Sequence, residues 1–364
     1  MNRPATAPGV PTVRQAGEVR STRVESLRAL AALGVLVGHA WGWSHRYGPA
    51  TYDGFVARAL LGGGFGVFLF FALSGYLLFL PFARAAWGGG QPVSLRRYFV
   101  NRALRVLPLY YLVVAVLLVV QGGESRRVWW RFALLLQGLW PDSVIAVVPP
   151  AWSLVVEVQY YLLLPLLALA VGFAAGGSLR RAAIALGLLG AAALAVRLVT
   201  VTGVQPSAVW RYSLPANAVF FFPGLLLALL RVQWDAAPPD WSRRSAAAEP
   251  AAWLAAGSAL VLAVFWRYSW DALLLPACFL VLGACVLPLR STRGLGWLEA
   301  RPLALVGVAS YSLYLWHEPI VHRLSGVTAL SSFGPLLAVS LAVCLGVAAG
   351  SYAVVEARFL RLRR

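Results

Sequence analysis

An all-α, polytopic membrane fold of about ten transmembrane helices plus one re-entrant or interfacial segment is predicted by three observations. The 364 residues are 60% hydrophobic and only 12% charged, whereas soluble domains carry roughly a quarter charged residues. Apolar runs of about 20 residues, the length a helix needs to cross a bilayer, recur along the whole chain. All 31 basic residues are arginine, and they gather in alternate connecting segments, the pattern of the positive-inside rule.

Taken in order, residues 1–23 are polar and contain Pro and Arg, with no small-residue cleavage site after them, so they read as an uncleaved cytoplasmic N-terminal tail. The predicted spans are 24–43, 62–82, 105–121, 154–175, 181–202, 214–231, 251–268, 271–289, 302–322 and 333–356. Residues 24–356 thus form one transmembrane domain, and 357–364 a cytoplasmic C-terminal tail. The stretch 132–148 is too short for a span and ends in Pro141, Asp142 and the Pro149-Pro150 pair, so it is assigned as re-entrant or interfacial. Ten spans place Arg84, Arg96, Arg97, Arg102, Arg105, Arg231, Arg243, Arg244, Arg290 and Arg301 on the cytoplasmic side. Arg46, Arg58, Arg126, Arg127, Arg131, Arg211, Arg267 and Arg323 then lie outside. An eleventh crossing at 132–148 would turn the basic loops 231–244 and 290–301 outward, against the rule.

The net charge of +18 is accounted for by loops that face anionic lipid, and no nucleic-acid partner is expected. Cys278, Cys285 and Cys344 lie in apolar runs without paired spacing, and His39, His45, His317 and His322 lack ligand spacing, so no metal site is expected.

Ionisable groups on or beside membrane spans are costly and mark functional sites by default. Arg28 and His39 are eleven residues apart, about three helical turns, which sets them on one face roughly 16 Å apart along the axis. A simpler reading has Arg28 snorkel to the headgroups and His39 cap the opposite interface. Ser153 and Glu157 share a face, with Trp152 beside them. A helix start accounts for Ser153 as N-cap and Trp152 as interfacial anchor, but not for Glu157. Ser310, Tyr314 and His317 form a third polar face. In this topology His39, Ser153, Glu157 and His317 gather at the outer level, and Arg28, Arg102 and Arg105 at the inner one.

Five phrases in sequence order carry a resemblance. They are the Arg28-to-His39 spacing, GVFLFFALSGYLL from Gly66, RRYFVNRALRVLP from Arg96, WSLVVEVQYYLLLP from Trp152 and SYSLYLWHEP from Ser310, with SYAVVEARFL near the C-terminus. With them the chain resembles, over nearly its whole length, the acyltransferase 3 family of integral-membrane O-acyltransferases. The resemblance implies transfer of an acyl group, often acetyl, from cytoplasmic acyl-CoA to a hydroxyl of a glycan, lipid-linked sugar, peptidoglycan or small molecule. It also implies functional roles for Arg28, His39, Arg102, Arg105, Ser153 and Glu157, and a bacterial inner-membrane location. The sequence departs from the family pattern at Phe68, where many members have Asp, at Val158 and at Ala357.

The chemistry then reads as follows. A sugar hydroxyl attacking a thioester needs a base, and the ordinary imidazole pKa of about 6.5 suits His39 to that task. Glu157 would orient the imidazole or hold acceptor hydroxyls, with Ser153 beside it. Arg97, Arg102, Arg105 and Arg28 offer forked donors to the phosphates of acetyl-CoA or another acyl-CoA. Trp152, Tyr314 and His317 are expected to meet the acceptor. Arg126, Arg127 and Arg131 could meet an anionic acceptor, and Arg197 either an acceptor or the outer interface. A transporter or flippase also suits ten spans with intramembrane charges. Against it stand the absence of a convincing internal repeat and the split of the polar residues into two clusters.

Overall fold

The computed structural model describes residues 13–48, 51, 54–122, 128–203, 207–266, 273–290 and 293–363. Among them there is no strand, and 84% of them are helical. The principal helices are α1 (Val13–Ser44), α2 (Gly66–Trp87), α3 (Leu95–Gln121), α4 (Ala151–Ala175), α5 (Leu179–Thr202), α6 (Phe222–Ala236), α7 (Ala248–Trp266), α8 (Leu274–Val286), α9 (Ser310–Ser325) and α10 (Phe333–Ser351). Each of the ten predicted spans overlaps one of these, although 251–268 and 271–289 also run into residues 267–272, outside the described set. Among the described residues six helical stretches are long and apolar enough to cross a membrane: Gly54–Trp87, Leu95–Gln121, Ala151–Ala175, Leu179–Thr202, Leu214–Ala236 and Phe333–Leu360. The rest fall short for physical reasons. α1 carries Arg28 and His39, the stretch from Arg301 is interrupted at Ala309 before α9, and α8 is 13 residues long.

The segment 132–148 forms no continuous helix. After a short turn, Trp129–Ala133, it runs through a 3₁₀ turn at Gln137–Leu139 and a series of tight turns. Side chains of α3 hold it down: the Tyr110 hydroxyl donates to the Phe132 carbonyl (2.9 Å), Tyr111 to Ala133 (2.9 Å) and the Gln121 amide to Val147 (3.1 Å). Buried backbone in a bilayer must find such partners.

Between helices in lipid, close packing replaces the exclusion of water as the driving force, which favours small residues at contacts. α2 and α6 meet in this way. A Cβ on Gly75 would strike the Phe221 carbonyl, and one on Gly224 the Ala72 carbonyl. Beside this seam Phe68 stacks on Phe220 (3.8 Å between ring centres) and Tyr160 on Phe221 (4.0 Å). The start of α1 is anchored by charge, with Arg23 pairing to Glu249 of α7 and to Glu299 (2.7 Å). The core these contacts build holds α1, α2, α3, α4 and α9 around two adjoining cavities.

Candidate active site

The first cavity is lined by Arg28 of α1, Ser74 of α2, Arg102 and Arg105 of α3, Ser153 and Glu157 of α4, and Tyr311 and Tyr314 of α9, with about 820 Å³ of empty space including its mouth. Arg102 and Arg105 reach it together because three residues on a helix return to nearly the same side. Arg97, five residues before Arg102 and so roughly 140° around the helix, is exposed and lines neither cavity. Carboxylates balance part of this charge. Arg28 pairs with Glu25 (3.5 Å) and Arg105 with the buried Glu356 (3.2 Å), which also accepts from the Ser312 hydroxyl. Arg105 further lies 5.7 Å over the Tyr311 ring. Arg102 Nε and Arg105 Nη2 are buried without an acceptor.

The second cavity is wider, about 2660 Å³ including open space, and its lining includes His39, Trp43, Tyr47, Trp152, Tyr212, Trp316, Glu318 and His322. His39 Nδ1 lies 3.0 Å from the Tyr47 hydroxyl. If Nδ1 carries the proton and donates to Tyr47, Nε2 presents its lone pair to the cavity. Trp43 stacks on His322 (4.0 Å) and donates its indole N–H to Glu318 (3.3 Å).

Val67 and Tyr314 belong to both linings. The Tyr314 hydroxyl is 2.8 Å from Ser153 Oγ and 3.2 Å from the Pro150 carbonyl, and Ser153 Oγ also donates to Pro150 O (3.1 Å). This buried pair stands at the junction of the two cavities. Ser153 is therefore no N-cap: α4 starts at Ala151 behind Pro150, and the hydroxyl turns back to the preceding carbonyl.

The expected level of Glu157 is corrected by this geometry. It lies not beside His39 but in the arginine cavity, where it accepts from the Ser74 hydroxyl. One helical turn beyond Ser153 carries it about 6 Å along α4, past the Tyr314 junction. His317, expected to meet substrate, is fully buried and lines neither cavity. Its Nδ1 sits 2.7 Å from the Tyr314 carbonyl, which can only accept, so Nδ1 bears the proton. Its Nε2 has no hydrogen-bond partner, and its ring packs 5.0 Å from that of His39. Arg197 neither snorkels nor reaches a cavity. It is buried against the Ala216 carbonyl (3.2 Å) and Asn217 Oδ1 (3.3 Å), 5.6 Å over Phe68 and 5.2 Å over Phe220. Arg131 pairs with Asp142 (2.8 Å), whereas Arg126 and Arg127 lie outside the described residues. Among the described residues no cluster of His, Cys, Asp and Glu could hold a metal ion.

Sequence reasoning missed Tyr47, Ser74, Glu318 and Glu356. Three of them lay inside quoted phrases, FALSGYLL, LWHEP and AVVEARF, as polar residues within apolar runs. Tyr47 gave no signal, because its approach to His39 depends on the turn after α1, where Arg46 and Tyr47 adopt left-handed backbone (φ 51° and 53°).

Comparison with known proteins brings in relatives at low identity. YrhL of Bacillus subtilis, whose name gives peptidoglycan O-acetyltransferase as its proposed activity, is 26% identical over 332 residues, covering 82% of this chain and 48% of that protein. The peptidoglycan O-acetyltransferase OatA of Listeria monocytogenes is 25% identical over 325 residues (82% and 49%). Nodulation protein 10 of Rhizobium leguminosarum is 29% identical over 170 residues (39% and 42%). The chain thus spans about half the length of the curated relatives it matches, or less. No solved structure matches it. A family model described as an acyltransferase domain matches residues 22–355, a stretch that takes in both cavities and the junction between them. On that match the chain belongs to the acyltransferase 3 family.

Proposed function

We propose that this protein is an inner-membrane O-acyltransferase that moves an acyl group, acetyl in the first instance, from cytoplasmic acyl-CoA to a hydroxyl of a cell-wall glycan. The observation that carries the reading is the meeting of two unlike cavities at Tyr314, one lined by arginine and the other by His39 and aromatic rings. The names of the relatives from Bacillus and Listeria support a peptidoglycan acceptor.

In this reading the donor's phosphates rest on Arg28, Arg102 and Arg105, and the extended pantetheine arm brings the thioester to the Tyr314–Ser153 junction. The acceptor lies in the histidine cavity, where Trp152 and Trp43 present rings to sugar faces and Glu318 accepts from hydroxyls. His39 Nε2 takes the proton of the attacking hydroxyl while its oxygen bonds to the thioester carbonyl carbon. Charge that develops on the carbonyl oxygen is met by the hydroxyls of Tyr314 and Ser153. The C–S bond then breaks, the imidazolium returns its proton to the departing thiolate, and an ester and free CoA result. Glu157 acts from the donor side, and His317 supports His39 from behind. The transmembrane domain is 24–356, with the tails 1–23 and 357–364 on the cytoplasmic side. No acyl-enzyme is required.

Membranes carrying wild type or His39→Ala, incubated with labelled acetyl-CoA, test the reading. Label in extracted glycan with wild type alone is the expected result; equal labelling with both proteins would remove His39 as base, and none with either would remove the reaction. An acylated peptide trapped from enzyme and donor without acceptor would replace direct transfer by a relay.

A further inference from the structure

Beside the arginine cavity lies a fourth cation that no motif marks. After α10 the chain passes through a π-turn, Tyr352–Glu356, and a last turn, Ala357–Leu360, which packs on α3, the helix that carries Arg102 and Arg105. Arg363 follows, half-buried and close enough to Arg105, Arg102 and Arg28 to feel the charge of each. Burial first, and then those three guanidiniums, pull its pKa down to about 10, and Glu356 opposes them.

Its hydrogen bonding is unfinished. Arg363 Nε and Nη2 are buried without an acceptor, as are Arg102 Nε and Arg105 Nη2. The carboxylates form no hydrogen bond to these nitrogens: Glu356 pairs with Arg105 and accepts from Ser312, Glu25 pairs with Arg28 and Glu157 accepts from Ser74, while Glu356 Oε2 and Glu25 Oε2 are themselves left without a hydrogen bond. Like charges held together with buried, unused N–H groups cost free energy unless an anion completes them. Guanidinium forks match the paired oxygens of a phosphate.

We infer that Arg363, with Arg102 and Arg105, forms a phosphate-binding site beside the arginine cavity, where the turn after α10 packs on α3. The inference rests on the proposed donor reading for the source of the phosphate, which is CoA. An anionic lipid headgroup offers the same chemistry from the bilayer.

The test uses the full chain in nanodiscs of phosphatidylcholine alone, as wild type, Arg363→Gln and Arg363→Lys. Binding of CoA and of S-acetylpantetheine, which has no phosphate, is measured, with thermal unfolding as a check on folding. Arg363→Gln is expected to bind CoA about tenfold more weakly, about 1.4 kcal/mol, to leave S-acetylpantetheine unchanged, and to be partly rescued by Arg363→Lys. Unchanged CoA affinity in Arg363→Gln would overturn the inference and leave the donor reading standing. Equal loss for both ligands would overturn it as a mere loss of structure. If wild type binds no CoA but co-purifies phosphatidylglycerol that Arg363→Gln loses, the phosphate site holds and the donor reading falls. Binding of neither overturns both.

Discussion

At the scale of single residues, the two cavities divide labour by the pairs each side chain keeps. His39 has Tyr47 at 3.0 Å and the ring of His317 at 5.0 Å, so the imidazole is held from two sides with its remaining nitrogen available. Loss of general-base catalysis costs about 10²- to 10⁴-fold, and His39→Ala is expected to lower the acylation rate within that range in the labelled acetyl-CoA assay. Tyr47→Phe removes only the phenol, and it should lower kcat by about tenfold, the worth of one hydrogen bond of roughly 1 kcal/mol or slightly more, with KM for acetyl-CoA unchanged. A larger effect on KM would place Tyr47 in donor binding instead. Tyr314→Phe unpairs Ser153 at the junction, and it is expected to lower kcat for transfer more than it lowers CoA binding. Arg28, His39, Ser153 and Glu157 stood out in the sequence because charge and polarity are rare in apolar runs. Their partners did not, since Tyr47, Ser74 and Tyr311 are ordinary at such positions and acquire meaning only by contact.

Among the helices, position is set by a few close approaches and one buried ion pair. Gly224 leaves no room for a Cβ against the Ala72 carbonyl, so Gly224→Val forces α6 away from α2. Overpacking of this kind costs about 1–3 kcal/mol or more, to be seen as a lower unfolding temperature in detergent; an unchanged melt would mean that the seam is looser than its geometry. The Arg23–Glu249 pair, with both side chains nearly buried, ties α1 to α7. Glu249→Gln leaves the buried Arg23 its pair with the half-buried Glu299, a smaller loss than the about 3–5 kcal/mol of a fully stranded charge, and it is expected to destabilise more than the exposed Asp240→Asn. Helix positions were legible from hydropathy: each of the ten predicted segments overlaps a helix, six of them in stretches long and apolar enough to cross a membrane, and 132–148 forms no continuous helix. Contacts between helices were not legible, because a glycine that lets two backbones touch reads in sequence like any other small residue.

For the whole molecule, the proposed transfer requires one cavity to open to each side of the membrane. Ten crossings put the turn at Gly89 on the cytoplasmic side and the turn at Ser331 on the other. With Cys278, Cys285 and Cys344 replaced by serine, Gly89→Cys should react with an impermeant maleimide only in inverted vesicles, and Ser331→Cys only in intact cells. Labelling of both from one side would reject ten crossings. The sequence by itself determined the class, a helical membrane chain, because burying a charge in hydrocarbon is so costly that composition and arginine placement leave little choice, and its polar motifs carried the resemblance to the acyltransferase 3 family. Only the tertiary structure decided that Glu157 joins the arginines rather than His39, that His317 lies behind His39, and that Arg363 comes near Arg102 and Arg105. Those outcomes depend on how far one helix slides along another and where a buried hydroxyl finds its acceptor. Such contacts between distant residues of the chain leave no period or spacing in the sequence to read.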